Sequence, residues 1–466
     1  MSDKKKRSIF ALVAVGIFMC TLDGSIVNIT LPVIMRDLKT SLALIEWVVL
    51  IYLFIVASLL LSFGRLSDIK GRRWIYTRGL FLFTAGSLLC GMSTNVSWLI
   101  LSRFFQGVGA SMVMACSSAI IVDIFHKNER GRVLGMIGAV VALGLSVGPA
   151  LGGSLLHWFS WRVIFYINIP IGLAASFAAA KLLKGGKTDI ARKEAFDWAG
   201  GSLLALCLGS FLFAFTHGYD WGYSSIEFIL MLLFSIITLA GVVIIETHVK
   251  FPIIEPSLLK IRLFTLPLLS AAIIFASLFI IVFLMPFYLM HPGGYSVGRA
   301  AYIMVTLFIP LLFVSPVAGS ISDRIGSRLL CTFGMGILCV SFLCLSWLPP
   351  AAPPSAIAWR LALAGTGTAV FLSPNSAITM NSVPQAFRGI AAATIAMARN
   401  FGMVLGVAIA GTIFNSVFYN LSGGFTLKVY KPELQEVFMA AFHYAMTAGV
   451  VLAGIGIFVA FSRGPE

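Results

Sequence analysis

The sequence predicts an all-α polytopic membrane protein of about fourteen spanning helices, built as two six-helix bundles with two extra helices between them. Three observations lead there. The 466-residue chain is 59% hydrophobic and only 11% charged, with a mean hydropathy of +0.98, whereas a soluble domain carries roughly 25% charged residues. Its apolar residues fall in runs of about 20 that are apolar on every face. That is the length a helix needs to cross a bilayer, and it lacks the period-two alternation of a membrane barrel. Finally, the second half of the chain repeats motifs of the first.

The runs can be taken in order. The first, 9–32, contains a single ionisable residue, Asp23, within "FMCTLDGSIVN". A charge at that depth costs about 2.5–3.5 kcal/mol on insertion scales, so its presence calls for a function. The residues that follow, "LPVIMRDLKT", show no small-residue cleavage pattern, and the run reads as a permanent first helix. Glu46 opens the second run (44–63) and reads as an exposed carboxylate near the outer surface, or else as an outer proton port. The hairpin "GRLSDIKGRR" (64–73) leads into the third run (75–95), and a short turn into the fourth (98–121), which holds Arg103 and Gln106. The glycine-rich fifth run (133–157) and the sixth (162–183) complete a bundle assigned to residues 1–190. Two runs without counterparts, 197–217 and 226–247, occupy 191–262 together with an inner linker. Runs at 264–290, 300–319, 329–349, 356–380, 390–418 and 438–461 form the second bundle, residues 263–466.

Charge placement gives the orientation. Of 33 Lys and Arg, about 24 gather in connections on the side of both termini and about six on the other, the bias of the positive-inside rule. A multi-pass protein of the cell membrane, with both termini cytoplasmic, is expected. Trp47, Trp98, Trp158, Trp161, Trp198, Trp221 and Trp347 lie near run ends, as an interfacial aromatic belt would. The net charge of +15 is therefore read as topology signal and lipid-headgroup contact, not nucleic-acid binding. Seven cysteines and six histidines show no ligand spacing, so neither a metal nor an organic cofactor is expected. Gly107-x-Gly109 lies mid-helix with no preceding strand, no Walker loop is present, and no catalytic cluster suggests an enzyme.

The repeat is specific. "GRLSDIKGRR" matches "GSISDRIGSR" through Gly64/Gly319, Ser67/Ser322, Asp68/Asp323, Gly71/Gly326 and Arg73/Arg328. Arg130-Gly131 matches Arg388-Gly389, and Gly144, Gly148 and Gly153 match Gly402, Gly406 and Gly411. Asp23 has an apolar counterpart near Ile281, so the repeat itself does not require an acid there.

These residues resemble the major facilitator superfamily of transporters. "GRLSDIKGRR" is similar to the family's loop between its second and third helices, and "LSRFFQGVGA" (101–110) to its fourth-helix motif. "GLSVGPALGG" (144–153) resembles the fifth-helix motif of antiporters and exporters. "LDGSIVNITLP" (22–32), "WRVIFYINIPIGL" (161–173) and the helix count resemble the fourteen-spanner drug:proton antiporters. The resemblance implies alternating access and proton-driven export of lipophilic, cationic drugs by a monomer, with protons as the coupling ion and lipids as neighbours. Export or symport of a specific natural metabolite is the alternative. A non-transporting receptor is a third reading, opposed by the intact Asp23, Arg103 and both hairpin copies.

Site residues follow from these readings. Asp23 would carry the coupling proton, with Arg103 either its partner or a cation snorkelling to the headgroups. Asn28, Gln106, Asn375, Arg399 and Asn400 are candidates for the substrate cavity, Arg399 alternatively pairing across helices. In the inner hairpin, Gly64 and Gly71 permit a sharp turn, while Arg72 and Arg73 can grip lipid phosphate or a carboxylate, Asp123 being a candidate. The resemblance makes Asp68 a latch on a helix N-terminus of the other half, with Asp323 and Arg328 in the second copy. Gly144, Gly148 and Gly152, beside Pro149 and Gly153, form one helix face. That face is either a close-packing seam or, by resemblance, the determinant of export direction.

Overall fold

A computed structural model describes residues 3–125, 130–183, 198–248, 256–384, 387–428 and 430–464. The expected domain boundary at 190–191 lies outside the described residues, and so do the side chains of Arg130, Gly131, Arg388 and Gly389. The first half contains α1 (Asp3–Asp37), α2 (Leu42–Lys70), α3 (Arg72–Gly91), α4 (Val96–Ile124), α5 (Arg130–Trp158), α6 (Val163–Tyr166) and α7 (Asn168–Leu182). Then come α8 (Trp198–Trp221), α9 (Ile226–His248) and the short α10 (Pro256–Leu259). The second half is α11 (Arg262–Met290), α12 (Val297–Ile325), α13 (Ser327–Leu345), α14 (Pro354–Asn381), α15 (Arg388–Leu421) and α16 (Gln435–Phe461).

Thirteen helices among the described residues are long and apolar enough to cross a membrane, with α6 and α7 counted as one. The fourteen-run expectation differs at the third run. It becomes α3, which opens on Arg72 and Arg73 and carries Arg78, so its 20 residues fall short on apolarity.

Local chemistry explains several boundaries. Ser41 caps α2 by accepting from Leu44 N, and Asn95 caps α4 by accepting from Trp98 N at 2.8 Å. The repeated hairpins turn on Gly71 (φ +94°) and Gly326 (φ +87°), conformations that side chains strongly disfavour. Their N–H groups donate to Ser67 O and Ser322 O, at 3.0 and 2.9 Å. The Ser/Gly pairs of the repeat are thus two copies of one helix stop.

The sequence repeat is also a packing repeat. In the first half α1 packs on α5, α2 on α4, α3 on α4 and α7; in the second, α11 packs on α15, α12 on α14, α13 on α14 and α16. Two seams join the halves, α5 against α12 and α2 against α15. The α8–α9 pair lies beside the second seam, with α8 touching both α2 and α15. α11 is buried along almost its whole length, whereas α9 is mostly exposed, as a lipid-facing helix would be.

Glycines set how closely the helices approach. A Cβ at Gly144 would collide with Thr21, one at Gly148 would lie 2.5 Å from Ser25 Oγ, and one at Gly152 2.8 Å from Ile29, so this face packs on α1. Gly402 and Gly406 pack on α11, where added Cβ atoms would strike the backbone oxygens of Ala272 and Ala276. Because a backbone oxygen in a helix cannot swing away, Gly406→Ala is expected to cost about 1–3 kcal/mol of overpacking. A thermal-unfolding shift in detergent checks it.

Taking the end with both termini as inner, the halves meet toward the outer end. There Leu42 N donates to Leu427 O at 2.9 Å, and Gly153 packs against Ala301 and Gly298. At the inner end, Gly64 and Gly71 face open space. The molecule is sealed on its outer side.

Candidate functional site

Asp23 and Arg103 form a salt bridge, both side chains fully buried. Three donors converge on the carboxylate. Arg103 Nη1 donates to Oδ2, while Gln106 Nε2 and Asn168 Nδ2 donate to Oδ1 at 2.8 and 3.0 Å. Arg103 is held in turn by Nε donating to Val48 O (3.0 Å), by Nη1 donating to Gln106 Oε1 (2.6 Å), and by the Tyr52 ring 4.1 Å away. Gln106 also donates to Ser87 Oγ at 2.8 Å. The network therefore ties together α1, α2, α3, α4 and α7. Gly86 makes it possible, since a Cβ there would lie 2.7 Å from the backbone of Gln106.

A narrow pocket lies beside this network, between the halves. Gly24, next to Asp23, lines it, as does Tyr52, whose hydroxyl donates to Cys20 O at 2.8 Å. The far wall comes from α11 and α15: Phe275, Phe279, Arg399, Asn400 and Met403. The lining contains no Asp or Glu. Among the described residues Arg399 has no hydrogen bond or ion pair, and its guanidinium rests 6.0 Å from the Phe275 ring. A cation held without a counter-charge in an apolar pocket has given up hydration that no protein acceptor replaces.

Of the five cavity candidates, Arg399 and Asn400 line this space, and the other three do not. Gln106 is consumed by the Asp23 network. Asn28 turns back to donate to Gly24 O at 2.8 Å in its own helix. Asn375 clamps structure, donating to Pro267 O at 3.2 Å and accepting from Arg463 at 2.5 Å.

In the inner hairpin, Arg72 bridges Asp68 (3.1 Å) and Asp123, and donates to Ala119 O at 2.7 Å; Arg73 donates to Ala180 O at 2.7 Å. Asp68 thus pairs within its own half in this state, not with the other half. In the second copy Arg328 donates to Phe461 O at 2.7 Å, and Asp323 is exposed. Pro149 sits inside an unbroken α5. Glu46 departs most from expectation. It is fully buried, wedged between α2 and α15, because the seam closes over the outer end of α2.

Asn168 and Tyr52 are the functional positions that sequence reading passed over. Asn168 had a signal, a lone amide in the apolar run "FYINIPIG". Tyr52 had none, being one of many aromatics.

A family model for the Major Facilitator Superfamily matches residues 13–407. The chain belongs to this superfamily. Its members therefore supply the comparison. The riboflavin transporter RibZ of Clostridioides difficile (strain 630) is 34% identical over 461 residues, 99% of this chain and 98% of that one. Multidrug resistance protein 3 of Bacillus subtilis (strain 168) is 31% identical, covering 87% of this chain and 79% of that one. Among solved structures, an inward-facing, unoccupied bacterial homologue of the human lysosomal transporter Spinster matches with a TM-score of 0.70 at 15% identity, over 99% and 98% of the two chains. Another, a D-xylose–proton symporter, gives 0.67 at 13% identity, over 98% of each. The superfamily fold is thus shared, and the protein is a multi-pass membrane transporter, not an enzyme.

Proposed function

We propose that this transporter is a proton-coupled exporter of small aromatic solutes, working by alternating access in the cell membrane with both termini cytoplasmic and α3 as a fourteenth span. The observation that carries the reading is the Asp23–Arg103 pair, buried directly behind Gly24 and Tyr52 in the wall of the central cavity. Protonating Asp23 removes the charge that holds Arg103, and the released guanidinium must find other acceptors. Occupancy of the proton site and the shape of the cavity wall are thereby linked. Each proton moving inward down the potential supplies about 2.3 kcal/mol per 100 mV.

The cavity also favours a solute class. With Arg399 unpaired and no carboxylate in the lining, a cationic solute meets an uncompensated positive charge, so the expected cationic drug is the weaker reading. Tyr52, Phe275 and Phe279 offer ring faces, and Asn400 an amide. A planar aromatic carrying carbonyl or anionic acceptors fits this set, and the relative named for riboflavin transport supports it. The relatives named for multidrug resistance support a broader, lipophilic range.

The test uses inside-out vesicles with an acidified lumen. Riboflavin, serving as the planar acceptor-rich probe, is expected to accumulate, and a protonophore to abolish the accumulation. Arg399→Gln is expected to lower riboflavin affinity at least tenfold, about 1.4 kcal/mol or more. Preferential accumulation of a lipophilic cation such as ethidium, unaffected by Arg399→Gln, would instead favour the cationic drug reading.

A further inference from the structure

Glu46 is a buried acid that the Asp23 network does not use, and the repeat shows how unusual its place is. The offset that pairs Gly64 with Gly319 and Asp68 with Asp323 also pairs Glu46 with Ala301. Both residues occupy the outer end of a seam, and both face a glycine of the opposite half. Ala301 packs on Gly153, and Glu46 on Gly411, where an added Cβ would run into its carboxylate. Gly153 and Gly411 are themselves repeat mates. The fold therefore closes one outer seam with an alanine and the other with a carboxyl group, so the acid is not needed for close approach.

The carboxyl group is poorly provided for. Oε1 has no hydrogen-bond partner among the described residues, and Oε2 has only a long contact of 3.5 Å from Asn415 Nδ2. Titratable and charged groups on the surrounding elements include Asp23, Arg36 and Asp37 on α1, Tyr52 on α2 itself, Arg103 on α4, His217 on α8, Arg399 and Tyr419 on α15, and His291, Lys428, Tyr430 and Lys431 in the outer connections. None makes an ion pair or hydrogen bond with Glu46. Arg103 is committed to Asp23, and Asp37 to Arg162 and Trp161. A bare carboxylate buried in this seam has nothing among the described residues to replace its lost hydration, and a neutral acid gives up far less on burial.

We propose that Glu46 is a proton-operated lock on the outer gate. It is protonated when α2 closes on α15 and ionised when the seam opens to outer water. On closing, one proton from the outer side binds a carboxylate oxygen; on opening it leaves to the same side. The lock therefore makes outer access depend on outer pH without changing the number of protons moved per solute. It rests on the alternating-access reading, but not on Asp23 as the coupling site.

Spin labels report the outer gate directly. Met92 and Trp347 are exposed on outer connections of opposite halves. Met92→Cys and Trp347→Cys are labelled in the reconstituted full-length protein, with the half-buried Cys339 and Cys344 changed to serine. As the pH rises from about 5 to about 9, on either side of neutrality, the label-to-label distance is expected to lengthen. Glu46→Gln is expected to hold the short distance throughout. Glu46→Ala, which copies the repeat mate, should do the same, and it keeps the test open should the amide misfold. Asp23→Asn and His217→Phe should still lengthen with pH; His291 is not a competing switch near neutrality, since burial and the nearby Arg36 push it down to about 4. Export by Glu46→Gln should fall at least tenfold, with riboflavin binding at the inner cavity within twofold of the parent. A distance that lengthens normally in both Glu46 variants, or does not respond to pH in the parent, would overturn the lock. So would a response lost in Asp23→Asn or His217→Phe but kept in Glu46→Gln. Proton-driven flux retained in Asp23→Asn with the label response intact would strike the coupling role of Asp23 and leave the lock standing.

Discussion

Asp23→Asn is expected to reduce proton-driven transport to background and also to destabilise the protein. The second effect follows from the geometry. Arg103 is fully buried, and its Nη2 already lacks a partner. Removing the carboxylate leaves the guanidinium with Val48 O and Gln106 Oε1 and no compensating charge. Breaking one side of a buried pair costs about 3–5 kcal/mol. The double variant Asp23→Asn/Arg103→Gln removes both charges and is expected to regain most of the stability while remaining inactive. Thermal unfolding in detergent and solute-induced proton release from proteoliposomes separate the two effects. If the double variant transports, the pair is a structural brace and not a coupling site.

Gly153→Ala is expected to shift the molecule away from its outer-sealed state. The added methyl would occupy the space of the Ala301 side chain, across a seam between two rigid helices. Neither side can move without separating α5 from α12. Overpacking of this kind typically costs about 1–3 kcal/mol, and here the cost falls only on the closed arrangement. A penalty of that size shifts a two-state equilibrium by about 5- to 150-fold. The same label pair at Met92 and Trp347 should report a longer outer distance at every pH, and inner-side solute binding should weaken in proportion to the fraction of the outer-sealed state that is lost. Gly406→Ala differs because its seam lies within one half, so both conformations lose stability and the distance should not change.

These two substitutions also mark what the sequence makes legible. Runs of apolar residues locate the helices, and matching hairpins reveal two related halves, because membrane insertion and helix stops are local in origin. Asp23 and Arg103 stand out singly, since each is expensive in a bilayer wherever the chain folds. Their joining is a tertiary fact: it requires Gly86 to bring α3 onto Gln106 and α7 to deliver Asn168. Asn28 and Asn375 show the opposite error. A polar residue in an apolar run reads as cavity lining, yet the nearest acceptor is often a backbone oxygen, and Gly24 O and Pro267 O satisfy these two. Glu46 was misplaced because an acid at the start of a helix looks solvated until the opposite half is in place. The third run reads as apolar over 75–95, whereas the helix that contains it begins at Arg72 and Arg73, and those two arginines lower the apolarity of the whole element.

The helices between the halves attach unequally to their two neighbours. α15 is hydrogen-bonded to them, with Thr412 donating to Phe215 O at 3.0 Å and Tyr223 and Ser416 sharing a bond of 2.8 Å. α2 meets them through tilted rings, Trp47 lying 6.1 Å from Phe213 and 6.0 Å from His217, and through Phe54 against Gly209. Ring faces can slide, whereas two fixed bonds must move together. The pair should therefore ride with the second half as its passenger when the halves rock, and the Trp47 face becomes the sliding plane along which the first half travels.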